Sequence, residues 1–306
     1  MNIHPKLTAG WLVFTVPFIS TLSLNITPSQ AATFSSATTQ VTLTNFNLNA
    51  EASSVTVNPT AFAISPVGSD FNSDFLDDIL AEESVTASAA DDTVVATADF
   101  STVASFPSIA SGNNSSFVSS ETANEAFGTG GSYIGKSKTE STVLANFFLN
   151  PEAGETQTFS FDFNAFWELE TFVDKTREQS TATADVSLTV CGRNSLGENP
   201  LFCDSLSTFG QLDSSNTTDL FAFQKSDPFT IDVLNNPGIS GSQNFKQTDF
   251  FALGSYQQEF DKPIYLSLAA VQSSEAYVST PESSTTVALL SLTALTIALG
   301  KRKKKY

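Results

Sequence analysis

Histidine and methionine are almost missing from this chain of 306 residues. There is one of each, His4 and Met1. Past position 4 there is neither, so a chain that has lost its N-terminus can build no Ser-His-Asp triad and no His-ligated zinc, haem or copper site. Basic residues are scarce as well. Fourteen Lys and Arg stand against 32 Asp and Glu, a formal charge of −18. Phosphate backbones are held by clustered Lys and Arg. With no basic stripe, no nucleic-acid partner is expected. Cysteine is limited to Cys191 and Cys203, whereas phenylalanine is abundant at 27 residues.

The two ends read as addresses. Residues 1–31 have the layout of a secretory signal peptide. Lys6 supplies a positive start, Trp11 to Ile26 is uncharged and apolar, and Ser29-Gln30-Ala31 offers small residues for cleavage after Ala31. An uncleaved N-terminal anchor is the bland alternative, but Pro17 and Pro28 break the run. The expected partners here are the Sec export machinery and signal peptidase. At the other end, residues 285–300 form a 16-residue run without charge. As a helix it is about 24 Å long, short of the roughly 30 Å of a hydrocarbon core. It spans as a transmembrane helix only by thinning the bilayer or by lysine snorkelling. Lys301, Arg302, Lys303, Lys304 and Lys305 follow in residues 301–306 and hold that tail in the cytoplasm. Both ends agree on one topology, with the body outside and the tail inside.

The C-terminal layout resembles the PEP-CTERM sorting signal of exported bacterial proteins. Pro281-Glu282, a short apolar stretch and a terminal basic cluster carry the likeness over residues 281–306. The resemblance implies recognition by an exosortase-like membrane protease. One position departs from the family: Ser283 stands where a second proline is the rule. An ordinary single-helix anchor with stop-transfer lysines gives the same topology. From about Ser141 to Val271 the chain also resembles, more loosely, a type of exported cyanobacterial PEP-CTERM protein. The stretch Gly154-Glu155-Thr156-Gln157-Thr158-Phe159-Ser160-Phe161-Asp162-Phe163 carries that likeness, and it implies no activity.

Residues 32–280 form the body. Six of the 14 basic residues and one of the 32 acids lie outside it, leaving 8 against 31, near −23. Such a charge keeps a body soluble and self-repelling. In an exported chain Cys191 and Cys203 are expected as a disulfide. The loop between them carries Gly192, Gly197 and Pro200. Closing it contributes about 3 kcal/mol in the chain-entropy account. A redox pair is disfavoured because the spacing is not Cys-x-x-Cys.

Period-2 patterning dominates. Phe159, Phe161, Phe163, Ala165, Trp167 and Leu169 alternate with polar residues, broken only by Phe166 on the polar side. Ala182, Ala184, Val186, Leu188 and Val190 alternate with Thr, Asp and Ser, and Ile264, Leu266 and Leu268 repeat the pattern. Val41 and Leu43 are followed one residue out of phase by Phe46 and Leu48, which predicts a bulge. These are half-buried antiparallel strands separated by Gly, Pro and Asn turns. The fold class expected is mainly β, an antiparallel β-sandwich between the signal peptide and the short transmembrane helix. The region before residue 140 is less regular and predicts a loop-rich half, with Ser111–Ser120 and Gly128–Ser132 as soft segments. Two domains remain an alternative to one sandwich. Phe71, Phe75, Leu76, Ile79 and Leu80 fall at helical spacing, predicting a short amphipathic helix over 70–83.

Chemistry is thinly marked. Glu168 and Glu170 share a strand face, as a carboxylate pair for glycoside hydrolysis would. Asp162 shares that face at about 20 Å along the strand, too far to join them. With polar neighbours this reads as a solvated surface. Asp213, Asn216 and Asp219 place three oxygen ligands in one polar loop, a weak calcium candidate without EF-hand spacing; the bland reading is a turn. Trp167, the body's single tryptophan, reads as core rather than as a sugar platform. The sequence therefore points to a non-enzymatic surface or matrix protein without a cofactor. Extracellular polysaccharide is a possible partner. The alternatives are a secreted carbohydrate-active hydrolase using carboxylates and a calcium-stabilised binding module.

Overall fold

The structure is a computed structural model. It describes residues 32–280 except 49, 65–68, 74–75, 78–82, 92–93, 106–116, 130–132, 175–177, 196, 215–218, 236 and 243. The expected signal peptide, sorting motif, helix over 285–300 and basic tail lie outside the described residues.

Sixteen strands are described. The first eight are β1 (Ala32–Thr44), β2 (Ala52–Ile64), β3 (Ser69–Ser73), β4 (Leu76–Asp77), β5 (Glu83–Asp91), β6 (Val94–Ser105), β7 (Phe117–Thr129) and β8 (Ile134–Leu149). The rest are β9 (Gln157–Phe172), β10 (Gln179–Arg193), β11 (Phe202–Asp213), β12 (Leu220–Lys225), β13 (Phe229–Asn235), β14 (Ser240–Gly241), β15 (Phe245–Phe260) and β16 (Ile264–Ser279). All pairings are antiparallel. The first sheet runs β13-β15-β9-β1-β7-β6-β5, with β14 also on β15. The second runs β12-β11-β10-β16-β8-β2-β3, with β4 also on β2. The sheets face each other: β1 lies against β10 and β16, β7 against β16 and β8, and β6 against β8 and β2. Among the described residues no helix is long and apolar enough to cross a membrane.

Alternation along the strands builds this arrangement. Phe159, Phe161, Phe163, Ala165, Trp167 and Leu169 of β9 are all buried, as are Ala182 through Val190 at every second position of β10. Burial of these apolar sets between two sheets is the main driving term. The interior has two apolar clusters. The larger is aromatic, with the Trp167 indole stacked on Phe250 at 5.5 Å and on Phe221 at 6.0 Å. The smaller is mostly alanine and valine from β2, β5 and β6, with Tyr133 and the end of β16.

A polar belt separates the two. Along β7 the inward side chains change from Val118 to Ser120, Thr122 and Asn124 and back to Ala126, all of them buried. Gln272 and Ser274 of β16, Thr139 and Ser141 of β8, and Thr39 of β1 meet them. Thr39 and Thr122 share a hydrogen bond of 2.7 Å. Thr122 and Asn124 both bond the Ser274 hydroxyl, and Thr139 donates to Asn124 Oδ1 at 3.2 Å. Ser120 and Ser141 donate to Gln272 Oε1 at 2.7 and 3.1 Å, while Gln272 Nε2 donates to the Ser120 carbonyl at 3.0 Å. Pairing of this kind offsets the cost of burying polar groups.

Three expectations are corrected. The helix expected over 70–83 is replaced, where residues are described, by β3 and β4 on the edge of β2. Phe71 is 59% exposed there. The open hydrogen-bonding edge of β2 outweighs a local helical spacing with no partner face. The bulge expected between Leu43 and Phe46 is a change of sheet. β1 ends at Thr44, Asn45 turns the chain at φ 54°, and β2 begins in the opposite sheet. Asparagine tolerates that left-handed conformation. Phe46 then packs into the aromatic cluster against Phe161 at 5.3 Å. Finally, the region before residue 140 carries β1 to β7 and the start of β8; of the expected soft segments, residues 117–120 and 128–129 lie inside β7, and 111–116 and 130–132 lie outside the described residues.

Candidate functional site

Four places carry the polar chemistry of the described body. The first is the β10–β11 hairpin. Cys191 stands directly opposite Cys203 in register, and the two form a disulfide with Cα atoms 4.1 Å apart. Strand alternation puts both sulfurs on the outward side of the second sheet, with Cys203 exposed. Both cysteines of the chain are thereby used, and no thiol is left for redox or metal chemistry.

The second is the loop between β11 and β12. The Asp213 amide donates to Asp219 Oδ1 at 3.0 Å. Lys246 of β15 reaches over from the first sheet and places its ammonium 2.9 Å from Asp219 Oδ2. The same ammonium donates to the Asp213 carbonyl at 2.7 Å. Both ends of this ion pair are largely buried. The Asp219 carboxylate and the Asp213 backbone are thus brought together, and Asn216 lies outside the described residues. Lysine already supplies the positive charge that Asp219 faces, so a calcium ion there must displace it. Among the described residues no group of three His, Cys, Asp or Glu side chains is arranged to hold a metal.

The third is the outward face of the first sheet. Register puts Glu170 beside Ser36 and Ser36 beside Glu125, while Glu168 lies beside Thr38 and Asp249. Glu168 and Glu170 do share this face, and Gln247 donates to Glu168 Oε1 at 2.7 Å. Burial raises the Glu125 carboxyl above the usual range, helped by the charges of Asp99 and Glu170. Burial also raises Glu170, helped by Glu168, and raises Glu121. Asp162 is held apart and accepts a hydrogen bond from Asn45 at 2.6 Å. Sequence reasoning found Glu168 and Glu170 but not Asp99 or Glu125. Those two lie in alanine-rich strands whose alternation is faint, and only long-range register brings them alongside.

The fourth is the end of the sandwich where residue 280 leaves it. The Tyr133 amide donates to Thr280 Oγ1 at 3.0 Å, and the Thr280 amide donates back to the Tyr133 carbonyl at 3.1 Å. The Tyr133 hydroxyl donates to Thr33 Oγ1 at 2.6 Å. Tyr133 is buried, and burial pushes its phenol up to about 12. Its ring lies over Gly128, where a Cβ would stand 2.1 Å from Cε2. The start of β1 and the exit of β16 are thus tied through one residue, by its hydroxyl on one side and its backbone on the other. The sequence singled out neither Tyr133 nor Thr280.

Comparison with family models, with curated proteins and with solved structures finds no match.

Proposed function

We propose that this chain is an exported cell-surface or extracellular-matrix protein with a non-enzymatic structural, adhesive or binding role. Residues 1–31 direct it outward through the Sec machinery and signal peptidase. Residues 281–306 hold it as a single-pass membrane protein facing outward until an exosortase-like protease acts on it. Pro281 and Glu282 serve recognition, with Ser283 the departure from the family motif. The 285–300 stretch inserts, and Lys301, Arg302, Lys303, Lys304 and Lys305 set the orientation. The observation that carries the reading is the three-part C-terminal layout paired with an N-terminal export signal. The Cys191–Cys203 disulfide suits an oxidising compartment. An outward surface rich in Thr, Ser and acids suits a body that works in water or polysaccharide.

Intact mass of the protein from its native host, under non-reducing conditions, tests this. The expected product lacks residues 1–31 and everything near or after Pro281. It also weighs about 2 Da less than the dithiol form. A product that keeps its N-terminus sinks the export reading. One that keeps only its C-terminus reduces the motif to a plain anchor.

A further inference from the structure

The body ends at Thr280, and the uncharged stretch starts at Thr285. Five Cα steps separate them, at most about 18 Å of extended chain. If that stretch is an anchor, as proposed above, the end of the sandwich that releases Thr280 stays close to the bilayer.

That end carries a row of large apolar side chains on the outward face of the first sheet. Register places Val95 beside Phe127, Phe127 beside Phe34, Phe34 beside Phe172, and Phe172 beside Phe245. The row crosses five adjacent strands, about 19 Å at the usual strand spacing. Each residue lies within two positions of the same end of the sheet. The row is level with the exit. Ser180 donates to the Phe34 carbonyl, and Ser180 pairs with Val278 of β16. Val95 is 42% exposed, and the four phenyls are half-buried. The next row inward is different in kind: Thr97, Glu125, Ser36, Glu170 and Gln247. An apolar row at the rim, followed by a polar row, has the amphipathic layout with which interfacial surfaces bury phenyl and aliphatic side chains at the headgroup boundary.

We propose that Val95, Phe127, Phe34, Phe172 and Phe245 dock on the headgroup region of the bilayer that holds the anchor. Half-exposed phenyls alone bind a membrane weakly. The tether makes their contact intramolecular, so a small apolar area suffices. Glu125 and Glu170 in the second row oppose anionic lipid, so the surface taken is one of net-neutral headgroups.

The test uses the chain without its export signal, residues 32–306 and so without Trp11, in phosphatidylcholine liposomes with bromine on the acyl chains near the headgroups. Phe172→Trp and, separately, Phe34→Trp place a reporter in the row. Val271→Trp, 37% exposed on the outward face of the second sheet and well up β16, is the control. Each is read against the parent, whose Trp167 is buried. Docking predicts that brominated lipid quenches the row reporters at least about twofold and leaves the control unchanged. Adding anionic lipid should reduce that quenching. If the chain floats with the liposomes but the row reporters behave like the control, docking is refuted while the anchor stands. Row reporters shielded from aqueous acrylamide but untouched by bromine also refute it, since another protein surface then covers the row. A parent chain that does not float overturns the anchor reading, and docking with it.

Discussion

Replacing Gln272 by leucine should cost far more than its size suggests. The side chain is 1% exposed and sits in the polar belt. Its Oε1 accepts from Ser120 and Ser141, and its Nε2 donates to the Ser120 carbonyl. Leucine keeps the volume and removes all three bonds. A buried polar group left without its partner costs about 1–3 kcal/mol. Two hydroxyls and a carbonyl are affected, but hydroxyls can rotate toward other acceptors and leucine adds apolar contact. A net loss of about 3 kcal/mol is expected. The triple variant Ser120→Ala, Ser141→Ala, Gln272→Leu removes both sides of the Ser–Gln pairs and should lie within about 1 kcal/mol of the parent. Urea unfolding under non-reducing conditions reads both, with Trp167 as the intrinsic reporter. At an m-value near 3 kcal/mol/M, the single variant moves the midpoint down by about 1 M and the triple restores most of it. A triple variant as unstable as the single one would refute the idea that unmet hydrogen bonding sets the cost. So would a single variant that loses less than about 0.5 kcal/mol.

Other expectations are independent of that belt. Gly210→Ala puts a Cβ 2.7–2.9 Å from the Trp167 ring, which is held between Phe221 and Phe250. Overpacking of about 1–3 kcal/mol and an altered tryptophan emission should follow in the same urea titration. Replacing both cysteines by serine should lower stability by about 3 kcal/mol, while adding reductant to that variant should change nothing further. Glu125 and Glu170 have folded-state values raised above the unfolded ones, first by burial. Their contribution is therefore full below about pH 4.5 and lost as pH rises through the raised values. Glu125→Gln should raise the melting temperature at pH 7, with the gain shrinking toward pH 5; a gain that grows on acidification contradicts the sign. Tyr133, raised to about 12, contributes fully below about pH 10, a contribution lost as pH rises through 12. Tyr133→Phe should lose about 1 kcal/mol at neutral pH by circular dichroism melts and weaken the alkaline transition.

Legibility followed side-chain size. Strands β9, β10 and β16 were readable because large apolar residues alternate with polar ones, and each inward position named from the pattern is buried. Strands β5 to β7 were not. Their inward positions are mostly Ala87, Ala89, Ala96, Ala98 and Ala126, then Ser120, Thr122 and Asn124, with only Val94, Phe100 and Val118 larger and apolar among the described residues. Alanine contributes a faint apolar signal, and the belt reverses the usual meaning of polar in a core. Phe71 misled for the converse reason: a large apolar residue on an edge strand, exposed rather than packed. The disulfide followed from counting cysteines, but its direct cross-strand placement required register. The Tyr133 link between Thr33 and Thr280 could not be read locally, since it joins residues about 100 and 147 positions away.

Strand order also has a kinetic consequence. β16 is the last of the described strands, yet it lies between β10 and β8 near the middle of the second sheet. Until it arrives, both neighbours present an open edge and neither half of that sheet can close. β1, the first strand, is likewise central in the other sheet, waiting for β7 on one side and β9 on the other. Pairings this remote in sequence are slow to form. A chain delivered N-terminus first thus stays unsealed until residues 264–279 have emerged. Truncation before Ile264 should leave not a slightly weakened body but two half-sheets with adhesive rims, prone to aggregate.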